Sequence, residues 1–307
     1  MKLFIIGNGF DLAHDLPTAY WNFRNYLHKY HYDFLQEFEE HYSIYPNDSE
    51  GTKCEILWND FETNLANIDE DIIVENAMSI DMGLDGGDEG IEDTLYKYFK
   101  DEYSYIEKLA VYLKSWVRGI KVKRKLPITS KINSLDNNFY ITFNYTSTLE
   151  KIYGIPCLDI LHIHGSLYGN DPDPIIGHGN FARIEAVLNK KKEAEKNSIE
   201  KKISIYKVIN NYYNRTLKDV SRYIHKLWGL KDKQIDEINV VGHSVSGVDL
   251  PYFKRIDDLT ANSVIWNVYF FDPKKECIMR RALLSQGIEN DRIKTYPTKD
   301  FYDLLTN

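Results

Sequence analysis

Short apolar runs that stop at glycine constrain this chain more than any other feature. Lys2-Leu3-Phe4-Ile5-Ile6 is closed by Gly7-Asn8-Gly9, and Glu237 to Val241 is closed by Gly242. An unbroken apolar run bounded by glycine reads as a strand buried on both faces and ended by a tight turn. Asn138 to Tyr145, Leu158 to His164, Val264 to Phe271 and Ile293 to Tyr296 are further strand candidates, rich in aromatic and β-branched residues. Helical spacing fills the stretches between them. Strands alternating with helices predict an α/β fold built on a Rossmann-like, doubly wound parallel sheet.

The helical stretches are long. Phe23, Leu27, Tyr30, Phe34 and Phe38 recur at three and four residues, which predicts one amphipathic helix with Thr18 as its N-cap. Similar spacing returns at Trp58 to Leu65, at Ile91 to Val117 and, lysine-rich, from Arg183 to Lys233. A helix is expected from Asp272-Pro273 through Leu284, and a last one from Thr298. Asp81 to Asp93 is acidic and glycine-rich and reads as an exposed loop; it lacks the Asp-x-Asp-x-Asp-Gly order of a calcium loop. The expected organisation is one sheet domain over 1–307, enlarged by helical insertions at 43–130 and 181–235.

Charge divides along the chain. Asp33 to Glu102 holds 21 acidic and 3 basic residues, whereas Arg183 to Lys233 holds 14 basic and 6 acidic. Such segments face each other, face a partner of opposite sign, or are two solvated helical faces. The overall net charge of -8 argues against a general nucleic-acid binder. No run reaches the roughly 18 apolar residues of a membrane span. Lys2 to Ile6 is too short for a signal peptide, and Cys54, Cys157 and Cys277 form neither a disulfide framework nor a Cys-x-x-Cys knuckle. A soluble, cytoplasmic protein is expected.

Four strand ends carry the candidate chemistry, because ligands of such sheets bind beyond the carboxyl ends of the strands. Gly7-Asn8-Gly9-Phe10-Asp11 could bring backbone amides close to a pyrophosphate. Leu12 stands where the dinucleotide fingerprint has its third glycine, so a standard hydride-transfer enzyme is disfavoured. The alternative is a structural turn, with Asp11 capping the next helix or holding a substrate hydroxyl. Gly242-His243-Ser244-Val245-Ser246 approaches a nucleophile elbow, but His243 is the last histidine in the chain, and a serine hydrolase needs one downstream. Ser244 and Asp249 suit contacts to a ribose or phosphate. His162 and His164, two residues apart, are expected on one face of a strand, with His164 favoured by the Gly165 that follows it. Asn144 closes the strand before it and is otherwise a turn former. No metal-ligand set is found.

Together these motifs resemble a known family. The pattern Gly7-Asn8-Gly9-Phe10-Asp11-Leu12-Ala13-His14, continued by Leu16-Pro17-Thr18, Tyr20 and Phe23, is similar to the opening of the bacterial abortive-infection AbiH family. Trp58-Asn59-Asp60-Phe61-Glu62, Thr142-Phe143-Asn144-Tyr145-Thr146, His162-Ile163-His164-Gly165 and Val241-Gly242-His243-Ser244 fit it too. The resemblance implies phage defence in which the infected cell stops growing or dies. More distantly, the motifs resemble the sirtuin/DHS-like fold. Gly7 to Asp11 parallels its Gly-Ala-Gly-x-Ser, Thr142-Phe143-Asn144 its Thr-x-Asn, His164-Gly165 its His-Gly, and Gly242-His243-Ser244 its Gly-x-Ser. The four-cysteine zinc module of sirtuin deacetylases is missing and Asp11 replaces a serine, so deacetylation is not expected.

What the resemblance implies is an effector that consumes NAD by cleaving its nicotinamide–ribose bond. Asn144 and His164 would be catalytic. Gly7, Asn8, Gly9, Phe10, Asp11, Tyr145, Gly165, Gly242, His243, Ser244 and Asp249 would bind NAD, without a metal. The rival expectation is a non-catalytic nucleotide-sensing or protein-interaction module. Its partner, a phage-derived trigger or a second copy, would dock on the charged insertions around Lys190, Lys191 and Lys192.

Overall fold

The computed structural model describes residues 1–79, 105–122, 126–166 and 176–305. The Asp81 to Asp93 stretch and the first part of the Ile91 to Val117 helix lie outside the described residues. The chain divides into two compact units, each assembled from separate segments: 1–19, 114–175 and 219–307 in the first, 20–113 and 176–218 in the second.

The first unit holds the sheet. Its strands are β1 (Lys2–Ile6), β2 (Phe139–Thr142), β3 (Ile160–His162), β4 (Glu237–Val241), β5 (Ile265–Phe270) and β6 (Ile293–Pro297). They lie in the order β3-β2-β1-β4-β5-β6, and every pairing is parallel. This is a Rossmann-like architecture, with its topological switch between β1 and β4. Ile5 sits opposite Ile141 on one side and Val240 on the other.

Both faces are covered, which is why the strands read as unbroken apolar runs. Leu3 and Ile5 pack with Tyr252, Phe253 and Met279 from helices Leu250–Leu259 and Pro273–Ser285. Phe4 and Ile6 point the other way and pack with Phe10, Leu149 and Ile152 from helices Asn8–Ala13 and Thr148–Tyr153. Each such side chain, removed from water, stabilises the unit by roughly 1.5–3 kcal/mol.

All six expected strands form, some shorter than their apolar runs. β2 ends at Thr142, and Phe143-Asn144-Tyr145 continue as an irregular turn. β3 begins only at Ile160, because Cys157–Asp159 is a 3-10 turn, and it ends at His162. The segment after Thr298 is one 3-10 turn, Thr298–Asp300, rather than a helix.

The second unit is helical. Helices Tyr20–Tyr30 and Tyr32–Glu40 replace the single helix that the spacing predicts, since His31, at φ -145 and ψ 50, interrupts it. Thr18 does not cap: the helix begins at Tyr20, and Thr18 instead donates its amide to the Leu16 carbonyl while its own carbonyl accepts from Asn8 Nδ2. Glu50–Lys53 runs into a π turn at Cys54–Trp58, followed by Phe61–Asn64 and Glu70–Ser79. Phe181–Lys196 and Glu200–Arg215 carry the basic segment as far as Arg215; its last part, through Lys233, holds the 3-10 turns Val220–Arg222 and Ile224–Leu230 of the first unit rather than α-helix. Tyr105–Gly119 contributes to both units.

The charge division is resolved inside this unit. Glu70, 7% exposed, accepts from Lys190 Nζ at 2.7 Å and Tyr213 Oη at 2.9 Å, with Arg183 Nε at 3.5 Å. Lys218, whose side chain is fully buried, reaches Glu62 Oε2 at 2.6 Å, and Tyr20 Oη donates to Glu62 Oε1 at 2.6 Å. At Glu70 and Glu62, acidic side chains of the one segment pair with basic side chains of the other.

Candidate functional site

Backbone packing builds the centre of the sheet's carboxyl edge. Gly7 is the N-cap of helix Asn8–Ala13, so the Gly7-Asn8-Gly9 turn is also the first turn of that helix. Gly7 donates its amide to the Val241 carbonyl at 3.0 Å, and Gly9 donates to Gly242 O at 2.8 Å. A Cβ on Gly7 would lie 2.6 Å from Gly242 O, and one on Gly9 2.9 Å from Gly242 Cα. These glycines let the β1 and β4 turns touch, and the Gly7 and Gly9 amides, among those expected near a pyrophosphate, already have acceptors in the chain. Asn8 is exposed and Phe10 is buried in the core.

Asp11 does not cap the helix it sits in. Its carboxylate, 1% exposed, accepts from Thr146 Oγ1 at 2.5 Å and Thr148 Oγ1 at 2.6 Å, tying the β2 turn to helix Asn8–Ala13. Burial pushes its carboxyl up to about 6, against the opposing pull of the Thr146, Thr148 and Asn144 side chains. Asn144, also buried, donates from Nδ2 to Gly7 O at 3.1 Å, and its amide donates to Thr142 Oγ1 at 3.1 Å. Tyr145 beside it is half-buried.

His162 and His164 do not share a face. The strand ends at His162, Gly165 (φ 80) donates its amide back to the His162 carbonyl at 3.1 Å, and the turn sends the two rings apart. His162 approaches Glu150 Oε1 of helix Thr148–Tyr153 at 3.0 Å. His164, 2% exposed, approaches Asp249 Oδ1 at 3.4 Å and packs beside Tyr252.

The third histidine completes the arrangement. His243 Nε2 lies 3.6 Å from Asp249 Oδ2, so one carboxylate stands between two imidazoles. Val245 donates its amide to His243 Nδ1 at 2.9 Å, which makes Nδ1 an acceptor and leaves the neutral ring's proton on Nε2, toward Asp249. The Phe143 ring lies edge-to-face with both imidazoles, its centroid 5.0 Å from His164 and 4.5 Å from His243. Asp249 is the N-cap residue of helix Leu250–Leu259 yet makes no side-chain cap bond. Pro251 follows in the first turn and has no N–H to give it. Ser244 is exposed and shares a hydrogen bond with Ser246 at 2.8 Å. The structure therefore groups Asn144, Asp11, Gly7 and Gly242 at the centre, and His164, Asp249 and His243 beside them.

Sequence reasoning missed Glu150, Thr146 and Thr148. Only the Thr-x-Thr that follows the Asn144 turn is a visible signal, and it is common in turns. Among the described residues no cluster of three or more His, Cys, Asp or Glu side chains could hold a metal ion, and the three cysteines are unpaired.

The family model for bacteriophage abortive infection AbiH matches residues 3–270. The chain belongs to the AbiH family. That assignment points to a role in abortive infection by bacteriophage. No curated protein and no solved structure matches the chain. Among the AbiH motifs, the Gly-Asn-Gly, Thr-x-Asn, His-x-His-Gly and Gly-His-Ser segments meet at the sheet edge. Trp58-Asn59-Asp60-Phe61-Glu62 lies in the helical unit, where Trp58 stacks on Phe61 at 4.8 Å and donates from Nε1 to Glu39 at 2.7 Å. No helix among the described residues of this AbiH chain is long and apolar enough to cross a membrane.

Proposed function

We propose that this AbiH protein is a phage-defence effector that binds NAD at the carboxyl edge of its sheet and hydrolyses the nicotinamide–ribose bond. The observation that supports this reading is the Asp249 carboxylate standing between His164 and His243, close to the topological switch where doubly wound sheets bind nucleotides. A carboxylate behind an imidazole orients the ring and stabilises its charged form, which suits a general base.

In the proposed reaction, water gives a proton to His164 while its oxygen bonds to C1′ of the ribose. The C1′–N bond breaks, its electron pair leaves with neutral nicotinamide, and ADP-ribose and a proton complete the balance. The transition state has oxocarbenium character and needs no metal. Asn144 would hold a ribose hydroxyl or the water. The exposed Asn8 and Ser244 and the half-buried Ser246 would take the phosphates and adenosine side, since the Gly7 and Gly9 amides are engaged.

That engagement favours a second reading, a nucleotide-sensing module that binds without chemistry. Purified protein with NAD separates the two. Release of nicotinamide, abolished by His164→Ala, is the expected result. Binding with intact NAD, with and without infected-cell extract, overturns hydrolysis and leaves the sensor. A partner surface around Lys190 has less behind it, because Lys190 pairs with Glu70 and Lys191 with Glu195.

A further inference from the structure

The His162 ring lies between two acceptors. Nδ1 is 3.2 Å from the Asn144 carbonyl oxygen and Nε2 is 3.0 Å from Glu150 Oε1. A carbonyl can only accept, so Nδ1 carries a proton. A carboxylate also only accepts, so the second contact needs one more proton, on the ring or on Glu150. An imidazole's ordinary pKa lies about 2 units above that of a glutamic acid, and hydrogen bonds to two acceptors favour the charged ring. Glu150 Oε2 is buried with no hydrogen-bond partner among the described residues, so a counter-charge must come through Oε1. Asp11 also interacts electrostatically with Glu150, whose charge helps to raise the Asp11 carboxyl.

We propose that His162 is held as an imidazolium by Glu150, and that its Nδ1–H is the device that positions Asn144. It rests on the reading of Asn144 as part of the reacting site. His162 fixes the Asn144 carbonyl, Thr142 its amide and Gly7 its carboxamide nitrogen. The side chain is thereby committed to one direction, and Oδ1 is the carboxamide atom left for a ligand. His162 and Glu150 are positioning residues and touch no substrate themselves.

The experiment uses the full chain labelled with 15N-histidine. At pH 8 both ring nitrogens of His162, identified by their loss in His162→Asn, should resonate as an imidazolium. Glu150→Gln should convert the ring to the neutral Nδ1–H form. A neutral His162 ring in the wild type at pH 8 overturns the ion pair. For positioning, His162→Ala should lower NAD turnover about 10²-fold through kcat with little change in KM. His162→Asn, which keeps an N–H donor near the Nδ1 position, should recover most of that loss. Unchanged turnover in His162→Ala, or no recovery in His162→Asn, overturns the positioning role. Should the wild type not turn over NAD, the proposed hydrolysis fails separately. The positioning role is then read from exchange of the Asn144 carboxamide protons, expected to be about tenfold faster in His162→Ala than in the wild type and overturned if unchanged. Should His162→Ala not fold, His162→Phe, which fills the ring's space without a donor, takes its place.

Discussion

Gly9 donates its amide proton to the Gly242 carbonyl across 2.8 Å, and this one bond joins the turn after β1 to the turn after β4. Gly242 has φ 67, and a Cβ there would fall 2.2 Å from the Phe10 nitrogen. Gly242→Ala therefore combines a left-handed alanine with a backbone clash. A loss of about 2–5 kcal/mol in urea unfolding is expected. An unchanged midpoint would show that the two turns can separate at no cost.

Asp11 makes stability depend on pH. Its folded carboxyl, pushed by burial to about 6, lies above the unfolded value near 3.9. A raised pKa means that the folded chain binds the proton more tightly. The group's contribution is complete below about pH 4 and is lost as pH rises through about 6. Its full size is on the order of 3 kcal/mol. Asp11→Asn should remove this component, so the stability difference between wild type and variant shifts in favour of wild type on going from pH 7.5 to pH 5. Parallel pH profiles for the two would contradict the buried ionisable state.

Asp249 and His164 form the pair on which the proposed chemistry depends. Asp249→Asn should lower NAD turnover by about 10²-fold or more while leaving thermal unfolding near that of the wild type. His164→Ala and Asn144→Ala should leave NAD levels intact in infected cells and abolish protection. Full protection in either variant removes that residue from the site.

Lys218 and Glu62 hold the helical unit together through a buried ion pair. Lys218→Met takes the cation from Glu62 and leaves it the Tyr20 hydroxyl, and Glu62→Gln takes the carboxylate from the buried Lys218, so each should cost about 3 kcal/mol. The double variant should be less damaged than the sum. A double-mutant cycle with zero coupling would show that the pair contributes nothing beyond its separate groups.

Much of this was legible in the residues. Apolar runs closed by glycine marked β1 and β4, and aromatic and β-branched runs the other four strands, because a strand covered on both faces must be apolar at consecutive positions. The same runs located the edge at which the motifs of Gly7, Asn144, His164 and Gly242 meet. Local reasoning misjudged Thr18, Asp11 and the Phe23 to Phe38 helix. The decision came from partners more than a hundred residues away for Asp11, from the Leu16 and Asn8 contacts of the preceding turn for Thr18, and from one backbone angle at His31 that side-chain spacing does not reveal.

Sequence by itself determined the parallel α/β plan and the AbiH family, since hydrophobic patterning and linear motifs are properties of adjacent residues. Only the tertiary structure decided what those motif residues touch. It closed Gly9 onto Gly242, set Asp249 between His164 and His243, and turned His162 from its neighbour toward Glu150. The physical reason is that hydrogen bonds and ion pairs are satisfied in space. A buried carboxylate takes whichever donor the packing brings within about 3 Å, and that donor can lie more than a hundred residues away.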